Sequence, residues 1–351
     1  MPYLDYAATT PVLPEVADAM AETLRTEFGN PSSVHAYGRR ARALVEDARE
    51  RVAAAVGASP AEIVFTGGGT EADNLALKGA ASKLRGNGDH IVISAIEHHA
   101  VLESVEWLQH RGFQATTVGV DAGGVADSEA VADEVRPSTV LVSVMSVNNE
   151  IGTIQPIAEI GSAVKARNPN AIVHTDAVQA LGNVPVDVGA WGADLAAFSA
   201  HKLGGPKGVG ALYVKAHVPV EPVLHGGGHE RGLRSGTLNV AGIVGFGIAA
   251  EVAASEVDGK TDRLAGLRAR LWDGLEAAIP DISLNGAIHH RIANNINVSV
   301  PGADGETLLL LLDENEIACS AGSACQSGAV DPSHVLLAIG TPKELAGRSL
   351  R

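Results

Sequence analysis

The chain has 351 residues, 46% of them hydrophobic and 19% charged. That is enough for two domains with full cores, in the balance of an ordinary soluble protein. Its formal net charge of −15 argues against direct nucleic-acid binding, which needs a basic patch. The start, Met1-Pro2-Tyr3-Leu4-Asp5, lacks the basic and apolar regions of a signal peptide, and no uninterrupted apolar run of membrane-spanning length stands out, so no membrane partner and a cytoplasmic location are expected. The two cysteines, Cys319 and Cys325, lie six positions apart. They form neither a C-x-x-C pair nor a disulfide framework, which suits a reducing compartment.

From about residue 15 to 251, helical patterns alternate with short apolar runs, the signature of a mainly parallel sheet with helices on both faces. The first run, Glu62-Ile63-Val64-Phe65-Thr66, leads through Gly67-Gly68-Gly69-Thr70 into a helical pattern over residues 71–84. Backbone N–H groups and the positive helix end can there face an anion. Further strands are expected at residues 90–94, 140–144 and 210–214. Another apolar run, Ala171-Ile172-Val173-His174-Thr175-Asp176, ends in a carboxylate, and Ser199-Ala200-His201-Lys202 ends in an amine. Over residues 240–272 the apolar spacing turns helical, with Arg263, Arg268 and Arg270 on the polar side, and a long helix joins two domains. The remainder reads as a small α+β domain with a strand at 294–300 and a helix at 305–312.

A phosphate loop, then a strand-end aspartate, then a strand-end lysine is what pyridoxal phosphate chemistry requires. A lysine holds the cofactor as a Schiff base, and a carboxylate keeps its ring nitrogen protonated so that the ring can accept electrons. Taken singly, these features have plainer readings as a tight glycine turn, a helix cap and a solvated cation. Their order within one α/β pattern carries the inference. A metal site is not expected, because the pairs His98-His99 and His289-His290 splay apart and no H-E-x-x-H motif occurs.

The motifs extend almost end to end. They are Tyr3-Leu4-Asp5-Tyr6-Ala7-Ala8-Thr9-Thr10-Pro11, Gly29-Asn30-Pro31-Ser32-Ser33 with His35, Thr66-Gly67-Gly68-Gly69-Thr70-Glu71-Ala72-Asp73-Asn74, Glu97-His98-His99-Ala100-Val101, Val147-Asn148-Asn149-Glu150-Ile151-Gly152, His174-Thr175-Asp176-Ala177-Val178-Gln179, Arg231-Gly232-Leu233-Arg234-Ser235-Gly236-Thr237 and Gly322-Ser323-Ala324-Cys325. In these the chain resembles the cysteine desulfurases of the NifS/IscS type, fold-type I pyridoxal phosphate enzymes. The resemblance implies a large cofactor-binding domain at residues 13–255, with a mainly parallel seven-stranded sheet between helices, and a small α+β domain of residues 1–12 and 256–351.

It also implies the roles. Lys202 would bind the cofactor and move the Cα proton of the substrate, L-cysteine, with a pKa well below the usual ~10.4. Asp176 would pair with the ring nitrogen, and Gln179, read as one helical step away, would donate to the phenolic oxygen. His98 would stack on the ring and serve as an acid or base. Thr70, Ser199, His201 and the N–H groups of Gly69 and Thr70 would hold the phosphate, joined by Thr237 from the other subunit of a homodimer. Asn149 and Arg351 would take the substrate carboxylate.

Cys325 would attack the substrate sulfur as a thiolate and keep it as a persulfide for an acceptor protein, such as an iron–sulfur scaffold or a thiolation carrier. Its neighbours, Ser320 to Gly328, are small residues that suit a loop. Cys319 reads as structural. Family members usually continue through a further strand and helix, so Arg351 is expected on a frayed end. Three alternatives stay open: a selenocysteine lyase, an aminotransferase on the same fold, and a non-catalytic sulfur-relay subunit.

Overall fold

Short strands with no exposed positions dictate the architecture. β1 (Ile63–Thr66), β2 (His90–Ser94), β4 (Thr139–Ser143), β5 (Ile172–Asp176) and β6 (Leu195–Ser199) are buried throughout, and such strands need helices on both faces. The computed structural model describes residues 1–321 and 332–351. With β3 (Gln114–Val118) and β7 (Gly210–Val214), these strands form a seven-stranded sheet in the order β1-β7-β6-β5-β4-β2-β3. The run from β6 to β3 is parallel, and β7 is antiparallel to both β6 and β1. The two reversals cancel, so β1 points the same way as the parallel set. The segments that follow β1, β2, β4, β5 and β6 therefore all leave one edge of the sheet, where ligands of such folds bind.

Side-chain alternation builds the cores. Ile63 and Phe65 face one layer with Val45, Phe198 and Phe246, while Val64 faces the other with Leu75, Leu77 and Val101. The first layer comes from α1 (Pro14–Thr26), α2 (Ala36–Ala55) and the start of α7 (Val240–Ala278). The second comes from α3 (Gly69–Leu84) and α4 (His99–Gln109). α5 (Ser128–Asp133) and α6 (Ile157–Arg167) complete the sheet's cover with Val131, Ile157 and Ile160. By length and composition α7 could cross a membrane, but half of its most apolar window is buried inside the fold. It is a core helix at that end.

The small unit holds β8 (Ser283–Leu284), β9 (Val298–Ser299) and β10 (Ser349–Leu350) in the antiparallel order β10-β9-β8. Beside them lie α8 (Gly305–Glu314), α9 (His334–Ala338) and α10 (Lys343–Ala346). The strand expected over 294–300 shrinks to two residues. Asn295 and Asn297 there spend their amides on the carbonyl of Glu150, at 3.2 and 3.1 Å. The expectation that Arg351 frays is overturned. β10 pairs with β9, Arg351 and Ser320 exchange two backbone hydrogen bonds of 2.7 and 3.2 Å, and the Arg351 side chain is 5% exposed.

A buried ion pair ties the first layer to the loop after residue 225. Arg49 of α2 grips Glu230 with two bonds, 2.7 and 2.8 Å, and Glu230 also accepts from the Phe65 N–H at 2.7 Å. Removing one partner strands the other charge away from water. Glu230→Ala is expected to cost about 3–5 kcal/mol, read as a lowered urea midpoint, with Glu230→Gln losing less. An unchanged midpoint would remove the pair from the account of stability.

Candidate active site

The site assembles from the ends of the parallel strands. β5 ends in Asp176, 5% exposed, which accepts from the Val178 N–H at 2.9 Å. Burial pushes its carboxyl up, opposed by His98, that N–H and Lys202. β6 ends in Ser199 and turns at once through Ala200–Lys202, a single 3₁₀ turn that aims Lys202 back across the edge. Its Nζ donates to the carbonyls of Ala7 and Ala8, at 2.6 and 2.9 Å. Gln179 donates to the same Ala7 oxygen at 2.9 Å. Residues 177–180 form a turn and not a helix, so the helical step expected between Asp176 and Gln179 is replaced by a strand end and a turn. Both still face one cavity.

After β1, Gly68 takes φ 151°, which favours glycine, and α3 begins at Gly69. A Cβ on Gly69 would meet Val178 Cγ2 at 2.6 Å. Only glycine lets this helix start lie against the turn that follows Asp176. The Gly67 N–H is held by Glu71 at 2.7 Å, and Glu71 pairs with Arg234 at 2.8 Å. His201 contacts Thr9 Oγ1 through Nδ1 at 3.1 Å and is pushed down to about 4 by burial and by Lys202 and Lys207. It is a neutral partner for an anion.

His98 caps α4, its Nδ1 accepting from the Ala100 N–H at 3.1 Å. Burial lowers its pKa and Asp176 raises it. Arg351 donates to Asp5 Oδ1 at 2.7 Å and to the Asn149 carbonyl at 3.0 Å, and its buried Nε has no acceptor among the described residues.

Gly69, Thr70, His98, Asn149, Asp176, Gln179, Ser199, His201, Lys202 and Arg351 all line a cavity of about 320 Å³. It shares Gly69, Thr70, Ser199 and His201 with a wider cavity of about 960 Å³ that includes Lys207 and Arg234. Thr237 is exposed and lines neither. Cys325, and with it the reading of its surroundings as a loop, lies outside the described residues. Cys319 is half-buried, and burial with the charge of Asp5 pushes its thiol up, which disfavours a thiolate.

The donors fit pyridoxal phosphate. Two hydroxyls, a neutral imidazole and a helix start lie where the two cavities meet, and the smaller one adds a buried carboxyl, a second imidazole and an amine. Sequence reasoning missed Asp5, Asp73, Glu97, His99, Glu150 and His334. Asp73, His99, Glu150 and His334 line the smaller cavity. Asp73, His98 and Asp176 each offer an atom within 4.8 Å of the others. Burial, Asp176 and Glu97 push the Asp73 carboxyl well up. The step from Thr70 to Asp73, one turn along α3, could have flagged it.

Glu97 is fully buried. Despite the Ser94 hydroxyl at 2.5 Å and the Met145 N–H at 2.8 Å, burial raises it to about 8. The folded protein therefore keeps a proton that the unfolded chain releases above pH ~4.5. Stability from this group is full at low pH and is lost as pH rises toward 8, by up to about 1.4 kcal/mol per pH unit. Burial pushes His174 down to about 3, so it acts oppositely, costing stability as pH falls below 6.5. Urea unfolding at pH 5.5, 6.5 and 7.5 is expected to show Glu97→Gln gaining on the native chain as pH rises. Parallel pH profiles would count against a protonated Glu97.

The sequence profile described as Aminotransferase class-V matches residues 2–345. A protein named Cysteine desulfurase IscS from Dictyoglomus turgidum is 48% identical over 349 residues, covering 99% of this chain and 88% of its own length. Among solved structures, a NifS-like protein aligns with TM-score 0.94 at 40% identity, over 99% of this chain and 92% of that one. Another, described as SspA in complex with cysteine, aligns with TM-score 0.88 at 36% identity, over 100% of this chain and 98% of that one.

Proposed function

The chain belongs to the class-V aminotransferase family, within which it is a pyridoxal phosphate-dependent cysteine desulfurase, and we propose that the side chains gathered at the sheet edge divide the reaction as follows. The observation that carries this assignment is the meeting of Lys202, Asp176, His98 and Arg351 around one cavity beside the start of α3. When bound, the cofactor supplies an electron sink that loosens the bonds at the substrate's α-carbon and, from there, at its Cβ–S bond.

Lys202 would hold the cofactor through its amine, and it is the base that would move the Cα proton of the substrate. The carbonyls of Ala7 and Ala8 aim it. Asp176 would keep the cofactor's ring nitrogen protonated, Gln179 would serve its phenolic oxygen, and His98 would wall the ring and exchange protons with the substrate. Thr70, Ser199, His201 and the N–H groups of Gly69 and Thr70 take the phosphate. Arg351 and Asn149 take the carboxylate of L-cysteine, and the structure described as SspA in complex with cysteine supports that substrate. The Cys325 thiolate forms a bond to the substrate sulfur as the C–S bond breaks. The carbon fragment takes up a proton and leaves as alanine, and the persulfide passes to an acceptor protein.

Residues 13–255 form the large domain in this reading, and residues 1–12 with 256–351 the small one. The active unit is a homodimer in which Thr237 reaches the phosphate of the second copy's site, the location is cytoplasmic, and the acceptor is an iron–sulfur scaffold or a thiolation carrier.

The native chain with pyridoxal phosphate and a thiol reductant is expected to form alanine from L-cysteine. Cys325→Ala is expected to lower that rate by roughly three orders of magnitude, the scale on which enzymes lose a nucleophile, while keeping the cofactor's absorbance. A keto acid product would point to an aminotransferase. Undiminished activity of Cys325→Ala on selenocysteine would point to a lyase.

A further inference from the structure

Two carboxylates each close on a serine, and the two serines flank residues 322–331, the segment that includes Cys325. Asp5 Oδ2 accepts from Ser320 Oγ at 2.6 Å, and Glu150 Oε2 accepts from Ser333 Oγ at 2.5 Å. Ser320 lies two positions before that segment and Ser333 two positions after it. Both carboxylates also sense one cation. Asp5 Oδ1 binds Arg351 Nη2 at 2.7 Å. The Arg351 charge pulls the Glu150 carboxyl down against the burial that pushes it up.

Asp5 stands in a strap that touches the cofactor's lysine as well, through Ala7 and Ala8. The strap is itself fastened, with the Leu4 N–H on the Ala318 carbonyl at 2.8 Å and the Tyr3 hydroxyl on the Asp5 and Thr9 carbonyls at 3.0 and 2.9 Å.

We propose that Asp5 is a positioning residue that couples capture of the substrate carboxylate on Arg351 to placement of the segment bearing Cys325, with Glu150 and Ser333 as the matching anchor on the far flank. The proposal rests on the roles of Arg351 and Cys325 given above. A guanidinium has five donors in a fixed plane. Asp5 and the Asn149 carbonyl each engage one terminal nitrogen, and Nε is buried with no acceptor among the described residues. That leaves donors for an incoming carboxylate on a side chain whose plane is already set, so little rotamer freedom is lost when substrate binds. Because the same carboxylate also grips Ser320, a shift of Arg351 is felt at the root of the nucleophile's segment.

The test compares four variants as holoenzymes, with cofactor absorbance confirming an intact site. Asp5→Asn keeps the volume and an acceptor for Ser320 but removes the charge. Its KM for L-cysteine is expected to rise about tenfold, the scale of one charge-assisted bond, with kcat changed less. Ser320→Ala is expected to keep KM near native and to slow persulfide formation on Cys325 in a single turnover by about tenfold. Ser320→Thr, which returns the hydroxyl, is expected to recover most of that rate. Native kinetics for Asp5→Asn and Ser320→Ala, or losses that merely track lost cofactor, would overturn the proposal. An unchanged KM in Arg351→Lys would instead overturn the carboxylate role of Arg351 and take the coupling with it.

Discussion

Everything at this site depends on how three buried carboxyls, Asp176, Asp73 and Glu97, divide their charge. Asp176 is buried, and its charge raises the carboxyls of Asp73 and Glu97, while Glu97 also raises Asp73. Three ionised carboxylates could not share that space. The surroundings separate them. Asp176 has the Val178 N–H, with His98 and Lys202 nearby, whereas burial dominates at Asp73 and at Glu97, which it raises to about 8 despite the Ser94 hydroxyl and the Met145 N–H. His174, beside Asp73 at 3.5 Å and held by Ser143 at 2.8 Å, stays neutral through burial and adds no charge. The fold thus sets the Lys202 amine near Asp176, where its charge opposes the effect of burial.

The N-terminal strap links the two halves of that arrangement. Residues 3–10 belong to no helix and lie almost two hundred positions from Lys202 in sequence, yet their carbonyls orient its amine, and Thr9 and Thr10 bind His201. The same stretch reaches Ser320 and Arg351 through Asp5. Lys202 and Arg351 are consequently set by one piece of backbone, only a few residues long.

What was legible in the sequence follows from this. The strand-end groups Asp176, Ser199 and Lys202 and the glycine turn at residues 67–69 could be read because strand burial and glycine freedom leave local marks. Asp5, Glu150 and His334 could not, since their contacts span 315, 183 and 237 positions and no local pattern announces them. Arg351 was misjudged for the same reason. Its order comes from Ser320 and Asp5 across the chain, not from residues beside it. The step between Asp176 and Gln179 looked helical by spacing alone, but the chain turns there, with Gln179 reaching Ala7 across 172 positions and its own carbonyl accepting from Asn183 four residues on.

The loop after residue 225 extends the argument to a second copy. Glu230 and Arg231 both adopt positive φ, 47° and 57°, an unfavourable choice for two consecutive non-glycine residues. The buried bond to Arg49 offsets that strain, and Arg231 adds a bond to the Ile63 carbonyl at 2.5 Å. A few residues on, Arg234 holds Glu71, which in turn holds the Gly67 N–H of the glycine turn before α3. The segment leading to Thr237 is therefore pinned both to the core beneath β1 and to the glycine turn of its own chain. If Thr237 serves a neighbour's phosphate, its reach is fixed by the same contacts that shape the phosphate site at home, and the two sites of a dimer are built from one set of constraints.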